Sequence, residues 1–594
     1  MRNNCYDAGC WTRLVLLRNL QRMSVRNFLP ILSWLPSYSR LSLSGDLFAG
    51  ITVGVMLIPQ GMAYAMLAGL PPIYGLYAST IPLLLYAIFG TSRQLSVGPV
   101  AMDSLLVAIG VGKLAEYGSE QFISLAILLA MMVGAIQFLL GVFRLGFMVN
   151  FLSHPVISGF TSAAAIIIGL NQLPHLLGIT AAGSNHLQTL LPSLWEQVAQ
   201  VHPSTTLIGV GTLVMLLVMR RYLKRVPAAL LAVAGGVGII YFFSPEGVRI
   251  VREIPAGFPS FAIPMVNWGH VMALLPTALT IALVGFMEAF SVAKATQAKH
   301  KNYQLNANQE LIGLGMANFG GSFFRSFPIT GGFSRTAVND QAGAQTQLAA
   351  VFSATLIVLT LLFLTPLFYH LPHAVLAAVI LVAIVGLIDL KEVLHLWKSN
   401  RRDLAMLLIT FLATLFLGIQ EGIAIGVGLS LIMVLYETSY PHYAVLGRLP
   451  GTDTYRNTKR YFEAKEIPHA LILRFDAKLF FGNSTIFRSI VDEEIRKRKD
   501  LRLVIINAEA INTLDSTAAH MLHDLADDLK KAGIELVFTT VKGPVRDVMA
   551  KSKIVDKLGK QHFFDSIQQA VNNFDGEHVD ESRQARFQTN YKQT

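Results

Sequence analysis

Arg335 is the residue whose chemistry is hardest to explain by packing alone. It lies in the stretch PITGGFSRTAVNDQAG, residues 328–343, between long apolar segments. Gly331 and Gly332 before it let a ligand approach the backbone closely, and Ser334 can donate a hydroxyl hydrogen bond. An ionisable residue within a membrane-spanning segment is functional by default, because burying its charge is costly. The alternative is that Arg335 snorkels to an interface or pairs with a carboxylate.

The sequence pattern around Arg335 occurs twice. The segments LSVGPVAMDSLLVAIG (95–110) and PITGGFSRTAVNDQAG (328–343) each begin with an extended piece broken by glycine and proline and continue as a short helix. A membrane protein tolerates such a break only where the backbone is buried in protein or lines a wet cavity. A half-helix points free N–H groups and the positive end of its dipole at whatever precedes it. Two facing half-helices therefore predict an anion site, and the anion would relieve the conflict between Arg335 and the dipole of its own helix.

Glu288 is the candidate acidic partner of Arg335 in the sequence. It is the only acidic residue in 268–293, and the corresponding span of the first half carries Gln60 at about the same place. Burial disfavours the charged form of a carboxyl group, and a nearby dianion disfavours it further. Anion binding and protonation of Glu288 should therefore favour each other, which predicts a proton-coupling role. The alternative is that Glu288 neutralises Arg335 as a structural ion pair.

These residues would lie within membrane-spanning segments, and the composition indicates a membrane protein. Of the 594 residues, 53% are hydrophobic and 14% are charged, and the mean hydropathy is +0.50. That is more apolar surface than one soluble core could hide, so we expect a polytopic α-helical membrane protein. Together with shorter runs, the long apolar runs predict roughly 12 to 14 spans. The long runs are 47–68, 120–142, 204–219, 346–368 and 403–417.

The basic residues follow membrane topology. The formal net charge of +11 could indicate a nucleic-acid partner, but the connection 177–203, outside if the N-terminus is cytoplasmic, contains no Lys or Arg. This is the positive-inside rule, to which 243–260 with Arg249 and Arg252 is a mild exception. We therefore expect a multi-pass protein of the cytoplasmic (inner) membrane with both termini in the cytoplasm and no nucleic-acid partner.

No motif indicates an enzyme or a pump. The sequence has no GxxxxGK[ST] loop and no HExxH or CxxC motif, so ATP-driven pumping and metal-dependent catalysis lack support. Cys5 and Cys10 lie in the N-terminal segment, where we expect reduced thiols without a role. We expect no cofactor and no metal site. Transport must therefore draw on ion gradients or exchange.

A second domain begins near residue 440, where the apolar runs end. Residues 470–475, 501–507 and 534–541 read as strands, and 484–499 and 516–531 as helices between them, which predicts a small soluble α/β domain. The expected organisation, in chain order, is an N-terminal segment (1–44), a transmembrane domain (45–438) with repeats at about 45–243 and 268–438, an α/β domain (439–575) and a polar tail (576–594).

Three long stretches resemble a known family. PPIYGLYASTIPLLLYAIFGTSRQLSVGPVA (71–101), NQELIGLGMANFGGSFFRSFPITGGFSRTAVNDQAGAQTQL (308–348) and LGRLPGTDTYRN (446–457) are similar to the sulfate permease (SulP) family of anion transporters. The resemblance implies fourteen spans as two inverted seven-span repeats, a core domain moving like an elevator against a gate domain, and a homodimer. It places the anion between the two half-helices. The implied substrate-binding residues are Gln60, Ala63, Val97, Gly98, Pro99, Gly332, Phe333, Ser334 and Arg335.

The resemblance also bears on the coupling ion and on the soluble domain. Plant sulfate carriers of the family use the carboxylate aligned with Glu288 for proton coupling, whereas its bicarbonate carriers place a carboxylate of this span in a sodium site. The C-terminal domain is similar to a STAS domain, in which Asp515 and Ser516 align with the phosphorylated serine of bacterial antagonists. The stretch DSTAAH lacks the glycine of their pattern. A helix cap at Asp515 or Ser516 is the alternative to a phosphorylation switch that recruits a cytoplasmic partner.

The resulting hypothesis is a secondary transporter that imports an inorganic oxyanion, sulfate, by proton symport. Within the same class, the alternative is bicarbonate or a dicarboxylate carried with sodium or by exchange. A different class is an anion sensor that signals through the STAS domain. An electromechanical role like that of prestin, an animal relative, is disfavoured by the carboxylate aligned with proton coupling.

Overall fold

The chain forms two compact units, residues 1–430 and 431–594. Cys5, Cys10, most of the N-terminal segment 1–44 and the tail 576–594 lie outside the described residues. The computed structural model describes residues 28–147, 153–180, 187–222, 228–253, 255–300 and 303–574.

The first half of the membrane unit starts its long helices with serine caps. The Ser39 hydroxyl accepts a hydrogen bond from Ser42 N at 3.2 Å, and the Ser119 hydroxyl accepts one from Phe122 N at 3.1 Å. Each cap pairs an N–H group that the first helical turn leaves free. The elements are α1 (Ile31–Trp34), α2 (Arg40–Leu67), α3 (Ile73–Tyr77), α4 (Ile81–Phe89), β1 (Val97–Gly98), α5 (Ala101–Gly112), α6 (Glu120–Val142), α7 (His154–Leu177), α8 (Leu187–Gln197), α9 (Pro203–Tyr222) and α10 (Ala228–Phe243).

The second half uses asparagine caps for the same purpose. Asn267, Asn306 and Asn400 each accept a hydrogen bond from a backbone N–H of the helix that follows. The elements are α11 (Trp268–Gln297), α12 (Ala307–Ser322), β2 (Thr330–Gly331), α13 (Phe333–Gln341), α14 (Leu348–Leu359), α15 (His373–Ile384), α16 (Leu390–Ser399), α17 (Arg401–Leu417) and α18 (Ile419–Ser439).

The two halves repeat the same order of elements. A long helix (α2 or α11) is followed by a shorter one (α3 and α4, or α12), then by a two-residue strand and a half-helix, and then by five helices, α6–α10 or α14–α18. The bent pair α8 and α9 counts as one segment, as do α15 and α16, which together form one candidate span at 373–399, so four segments follow each half-helix. In the described ranges each half thus supplies seven segments, and because seven is odd, the second half enters the membrane from the opposite side. The expected polytopic fold of inverted seven-span repeats is confirmed.

The spans differ widely in length. Within the described parts of the chain, seven helices are long and apolar enough to cross a membrane by themselves, and a bent pair at 187–219 could add one more. Shorter apolar helices, including α5 and α10, make up part of the remainder. Short spans of this kind are typical of transporters whose helices break at mid-membrane.

Glycines allow a close helix contact in the membrane unit. Helix α6 packs against α12, and a Cβ at Gly134 would lie 2.2 Å from Phe319 N. On the facing helix, a Cβ at Gly315 would lie 2.6 Å from Phe138 N. Because no side chain separates the two backbones, dispersion contacts stabilise this pair where lipid offers no hydrophobic driving force.

The second unit is an α/β domain built on a six-stranded sheet. The strand order is β4-β3-β5-β6-β7-β8, with β5 to β8 parallel and β3 antiparallel to both of its neighbours. The elements are β3 (Tyr443–Arg448), β4 (Tyr455–Asn457), β5 (Ala470–Phe475), α19 (Ser484–Arg496), β6 (Leu503–Asn507), α20 (Ser516–Lys531), β7 (Glu535–Thr539), α21 (Gly543–Lys551), α22 (Ile554–Leu558), β8 (Phe563–Phe564) and α23 (Ile567–Phe574).

Both faces of this sheet are buried, as parallel strands require. Leu471 and Leu473 pack in the cluster that contains Phe487 of α19, whereas Ile472 packs in the cluster that contains Val571 of α23. The three predicted strands and the two helices between them are confirmed within a few residues. The sequence did not predict β3, β4 and β8. The edge strands β4 and β8 have only three and two residues and lack a continuous apolar run, and β3 lies next to β4.

Candidate functional site

Strands β1 and β2 join the two halves of the membrane unit where their helices break. The strands are antiparallel, with Val97 opposite Gly331 and Gly98 opposite Thr330. Half-helix α5 begins soon after β1, and half-helix α13 begins soon after β2. This pairing uses backbone groups that an unwound span would otherwise leave unpaired. The two broken spans therefore form one structural element.

Both half-helices start without a side-chain cap. Val100 precedes α5 and Gly332 precedes α13, and neither offers a side-chain oxygen to the first turn. The long helices α2 and α6, by contrast, are capped by serine. Free N–H groups and the positive dipole end at two such termini attract an anion.

Arg335 is the third residue of α13 and is buried, with 1% of its surface exposed. Its Nη1 donates a hydrogen bond to the Pro99 carbonyl at 2.8 Å, whereas Nε and Nη2 are buried without a partner. The guanidinium lies against Gly332, where a Cβ would stand 2.7 Å from both Cζ and Nη2. In the described part of the chain, Arg335 neither reaches the surface nor pairs with a carboxylate. Two of its donors are therefore left for another acceptor.

Glu288 lies on α11 close to this element. A Cβ at Gly331 would stand 3.1 Å from the Cα of Ala289, so β2 packs directly on the helix beside Glu288. Glu288 is within electrostatic range of Arg335 and Tyr64. Glu288 as a whole residue is intermediate between buried and exposed.

The other expected binding residues divide into two groups. Gln60, Ala63, Val97 and Pro99 are buried, and within the described ranges the Oε1 atom of Gln60 has no hydrogen-bond partner. In contrast, Phe333 is 63% exposed and Ser334 is also exposed. The accessible side of α13 is thus formed by the two residues that precede Arg335.

Helix α2 passes close to the strand pair. A Cβ at Gly98 would stand 3.4 Å from Leu57 Cδ1 and equally far from Arg335 Nη2. Tyr64, two turns further along α2, is within electrostatic range of Arg335 and Glu288. Gln60 and Ala63 lie between these two positions on the same helix. The structure therefore brings the segment around 59–63 to the broken spans.

Two residues of this region were not singled out from the sequence, Asp103 and Tyr64. Asp103 is the third residue of α5, fully buried, and neither of its carboxylate oxygens has a hydrogen-bond partner among the residues that the structure describes. It stood in the stretch that predicted the first half-helix, and the rule that drew attention to Arg335 applies equally to it. Tyr64 gave no such signal, because a tyrosine in an apolar helix is more often a packing residue.

Two other buried carboxylates are structural. Glu310 on α12 accepts hydrogen bonds from the Tyr86 hydroxyl at 2.6 Å, Thr91 N at 2.6 Å and Ser92 N at 2.9 Å. It also accepts one from the Thr91 hydroxyl. Asp46 on α2 is satisfied in the same manner by four donors. Glu310 thereby fixes the segment that leads into β1.

Comparison with known proteins agrees with this architecture. Residues 43–410 match the sulfate permease family, and residues 461–570 match the STAS domain. The chain belongs to the sulfate permease family. It is thus a multi-pass anion transporter with a STAS domain, and it is not an enzyme. The family resemblance in the sequence motifs is confirmed.

The curated relatives of this sulfate permease include plant proteins. The "Probable sulfate transporter 4.2" of Arabidopsis thaliana is 41% identical over 544 residues, which cover 89% of this chain and 80% of the relative. The "High affinity sulfate transporter 2" of Stylosanthes hamata is 33% identical over 573 residues, with 92% and 86% covered.

Solved structures share the fold over nearly the whole chain. The murine Solute Carrier 26 family member A9 anion transporter, in its inward-facing state, is 27% identical with a TM-score of 0.85, covering 96% of this chain and 98% of that one. The transmembrane domain of the cyanobacterial bicarbonate transporter BicA is 26% identical with a TM-score of 0.58, covering 66% and 98%.

In the STAS domain, Asp515 caps a helix. Its Oδ1 accepts a hydrogen bond from Ala518 N and its Oδ2 one from Phe481 N, both at 2.8 Å. Ser516 is the first residue of α20 and is exposed. The capping alternative therefore accounts for Asp515, while Ser516 is accessible to a modifying enzyme.

No group of three or more His, Cys, Asp or Glu residues that could hold a metal ion occurs in the described ranges. The candidate site of this sulfate permease contains one guanidinium (Arg335), two carboxyl groups (Asp103 and Glu288) and two half-helix termini.

Proposed function

We propose that this protein imports sulfate together with protons across the cytoplasmic membrane. The observation that carries the proposal is the buried Arg335 guanidinium, which has two donors without a partner and lies between two uncapped half-helix termini. Burying a charged donor without an acceptor costs about 1–3 kcal/mol or more. An oxyanion at this place supplies the acceptors and the negative charge.

Two features support sulfate as the anion. The site offers hydrogen-bond donors from Arg335, the exposed Ser334 and the first turns of α5 and α13. A dianion with four oxygens uses such a set of converging donors well. Relatives that are 33% to 41% identical over most of their length carry the name sulfate transporter.

Glu288 is the proton-coupling group in this proposal. It is near Arg335 but forms no ion pair with it within the described residues, so it is not consumed by neutralising the guanidinium. Its partial exposure gives protons a route to the carboxylate. A bound dianion favours the protonated form of Glu288, and this mutual preference links the flux of sulfate to that of protons.

The proposed transport cycle is of the elevator type. Half-helices α5 and α13, tied together by β1 and β2, would move as a core with their bound anion. The remaining spans would provide the gate, and two chains would assemble through them as a homodimer. Both termini face the cytoplasm in this arrangement, where a cytoplasmic protein partner could bind the STAS domain and Ser516 phosphorylation could regulate it.

Uptake of labelled sulfate into proteoliposomes tests the proposal. We expect an acidic exterior to drive uptake without sodium, Arg335→Ala to reduce it by about 100-fold, and Glu288→Gln to remove its dependence on the pH gradient. Arg401→Ala and Glu116→Gln are the matched controls, because both residues are exposed. Normal transport by Arg335→Ala with a native-like fold would overturn the assignment of the site.

Bicarbonate or a dicarboxylate coupled to sodium or moved by exchange is the second candidate. It is favoured by the similarity of the membrane unit to the cyanobacterial bicarbonate transporter BicA. In the same proteoliposomes, uptake that requires sodium or an internal exchange anion and ignores the pH gradient would select this candidate. An anion sensor would show binding without measurable flux.

A further inference from the structure

Asp103 is a buried ionisable residue that the proposed cycle leaves without a role. It occupies the third position of half-helix α5, is fully buried, and both of its carboxylate oxygens lack a hydrogen-bond partner. An ionised carboxylate cannot be left in such a place without an opposite charge or several donors. The neutral, protonated form of Asp103 is therefore the one that this buried position accommodates more readily.

The carboxyl group of Asp103 lies against the helix that carries Glu288. A Cβ at Gly285 on α11 would stand 3.0 Å from Asp103 Oδ2 and 3.3 Å from the Thr330 hydroxyl. Glu288 is three residues further along the same helix, which places it one turn away on the same face. The two carboxyl groups are close enough to influence each other electrostatically.

The other ionisable groups of the site interact electrostatically with Glu288. Arg335 on α13 and Tyr64 on α2 are within electrostatic range of Glu288. Of the helices packed around α5, namely α11, α2, α6 and α7, only α11 presents a charged group to Asp103 in the described ranges, and that group is Glu288. A proton that leaves Asp103 therefore has Glu288, with its partial exposure, as its neighbouring acceptor.

We propose that Asp103 is a second proton-binding residue of the transport cycle, so that one sulfate enters with two protons, one on Asp103 and one on Glu288. This inference rests on the proposed function. A dianion that enters with a single proton carries one negative charge and is opposed by an inside-negative membrane potential. With two protons the transported set is neutral.

We do not propose a metal cation at Asp103. The Thr330 hydroxyl already donates to the Gly285 carbonyl, and no cluster of three acidic or imidazole ligands surrounds Asp103 in the described ranges.

The test is the sulfate gradient at which net flux reverses under an imposed pH gradient of one unit and zero membrane potential. Each coupled proton contributes about tenfold to that gradient. We expect reversal near a 100-fold gradient for the wild type and near tenfold for Asp103→Asn. The reversal point of the wild type should not respond to membrane potential, and that of Asp103→Asn should. Ser104→Ala is the matched control, since its buried hydroxyl also lacks a partner but cannot titrate.

Each outcome has a separate meaning. If Asp103→Asn keeps the wild-type reversal point, or if the wild type itself carries net negative charge per sulfate, the inference is overturned while the proposed function stands. If Asp103→Asn does not fold or transport, the potential dependence of the wild type and of Asp103→Glu decides in its place. Wild-type sulfate flux that ignores the pH gradient would remove the proposed function and this inference with it.

Discussion

The membrane unit treats its buried carboxylates in two opposite ways. Glu310 accepts four hydrogen bonds, two of them from backbone N–H groups at the entry to β1. Asp103, a few residues after the same strand, accepts none. Satisfied buried groups stabilise a unique arrangement, whereas an unsatisfied one is a cost that persists only where function maintains it. The contrast separates the scaffold that fixes the broken spans from Asp103, the residue proposed to bind a proton.

A similar contrast holds between the two half-helices. Each carries an ionisable side chain as its third residue, Asp103 in α5 and Arg335 in α13. The dipole at a helix N-terminus stabilises an acid there and opposes a base. In the proposed cycle, the second half-helix is thus the one that binds the external anion, and the first carries the residue proposed to bind and release a proton.

The largest effect should come from removing the satisfied carboxylate. Glu310→Ala leaves two backbone N–H groups and the Tyr86 hydroxyl without an acceptor, and each costs about 1–3 kcal/mol. We expect the free energy of unfolding to fall by about 4 kcal/mol, seen as a lower melting temperature in detergent. Glu310→Gln retains the Oε1 acceptor and should lose much less. Equal losses in the two variants would show that packing, and not hydrogen bonding, explains the role of Glu310.

The next effect concerns the position of the guanidinium. Gly332→Ala places a Cβ 2.7 Å from Arg335 Cζ, in a backbone conformation that alanine adopts without strain, with φ −88°. Displacing the guanidinium should cost about one hydrogen bond to a charged group, or a tenfold to hundredfold rise in KM for sulfate. Uptake kinetics measure this. Gly235→Ala, where a Cβ meets nothing within 4 Å, is the control, and an unchanged KM for Gly332→Ala would place the anion away from Arg335.

The sequence predicted the fold and two residues of the candidate site, Arg335 and Glu288, for physical reasons. Apolar runs of spanning length predicted the long helices, and the paired breaks at 95–110 and 328–343 predicted the half-helices, because glycine and proline interrupt helices by their local geometry. Arg335 and Glu288 stood out because each is a charge in an apolar segment. These signals are local and can be read from one chain segment at a time.

What the sequence did not reveal depends on distant contacts. Whether Glu310 or Asp103 is the structural carboxylate depends on which donors the fold brings to each, and the donors of Glu310 are more than 200 residues away. The position of Tyr64 beside Arg335 similarly depends on how α2 packs against the strand pair. No spacing rule supplies such information.

A smaller effect should appear in the STAS domain, where carboxylates remain partly exposed. Hydrogen bonds from Arg474 and His442 outweigh the opposing effect of burial and lower the pKa of Asp476. Its contribution is therefore present above the unfolded pKa and is lost as the pH falls below about 4. We expect Asp476→Asn to remove about 1 kcal/mol or less at neutral pH and to abolish this acid dependence.

Hydrogen exchange of β3 and β5 in the full chain, from neutral pH to about pH 3, measures this change. The control is Asp453→Asn, which breaks an ion pair with Arg448 whose carboxylate side is 73% exposed and should have no effect. If Asp476→Asn and Asp453→Asn change hydrogen exchange equally, partial burial does not strengthen the contacts of Asp476.

The smallest expected effect tests most directly the contrast between Glu310 and Asp103. Asp103→Asn replaces a fully buried acid that has no partner by an amide of nearly the same shape, so no hydrogen bond is lost and no new charge is buried. The free energy of unfolding should change by less than about 0.5 kcal/mol. The melting temperature in detergent, measured beside Glu310→Ala, tests this. A loss as large as that of Glu310→Ala would mean that Asp103 has donors in the folded protein and is part of the scaffold. Unchanged stability together with altered proton coupling would assign Asp103 to the transport chemistry, because only a reacting group changes the function without changing the fold.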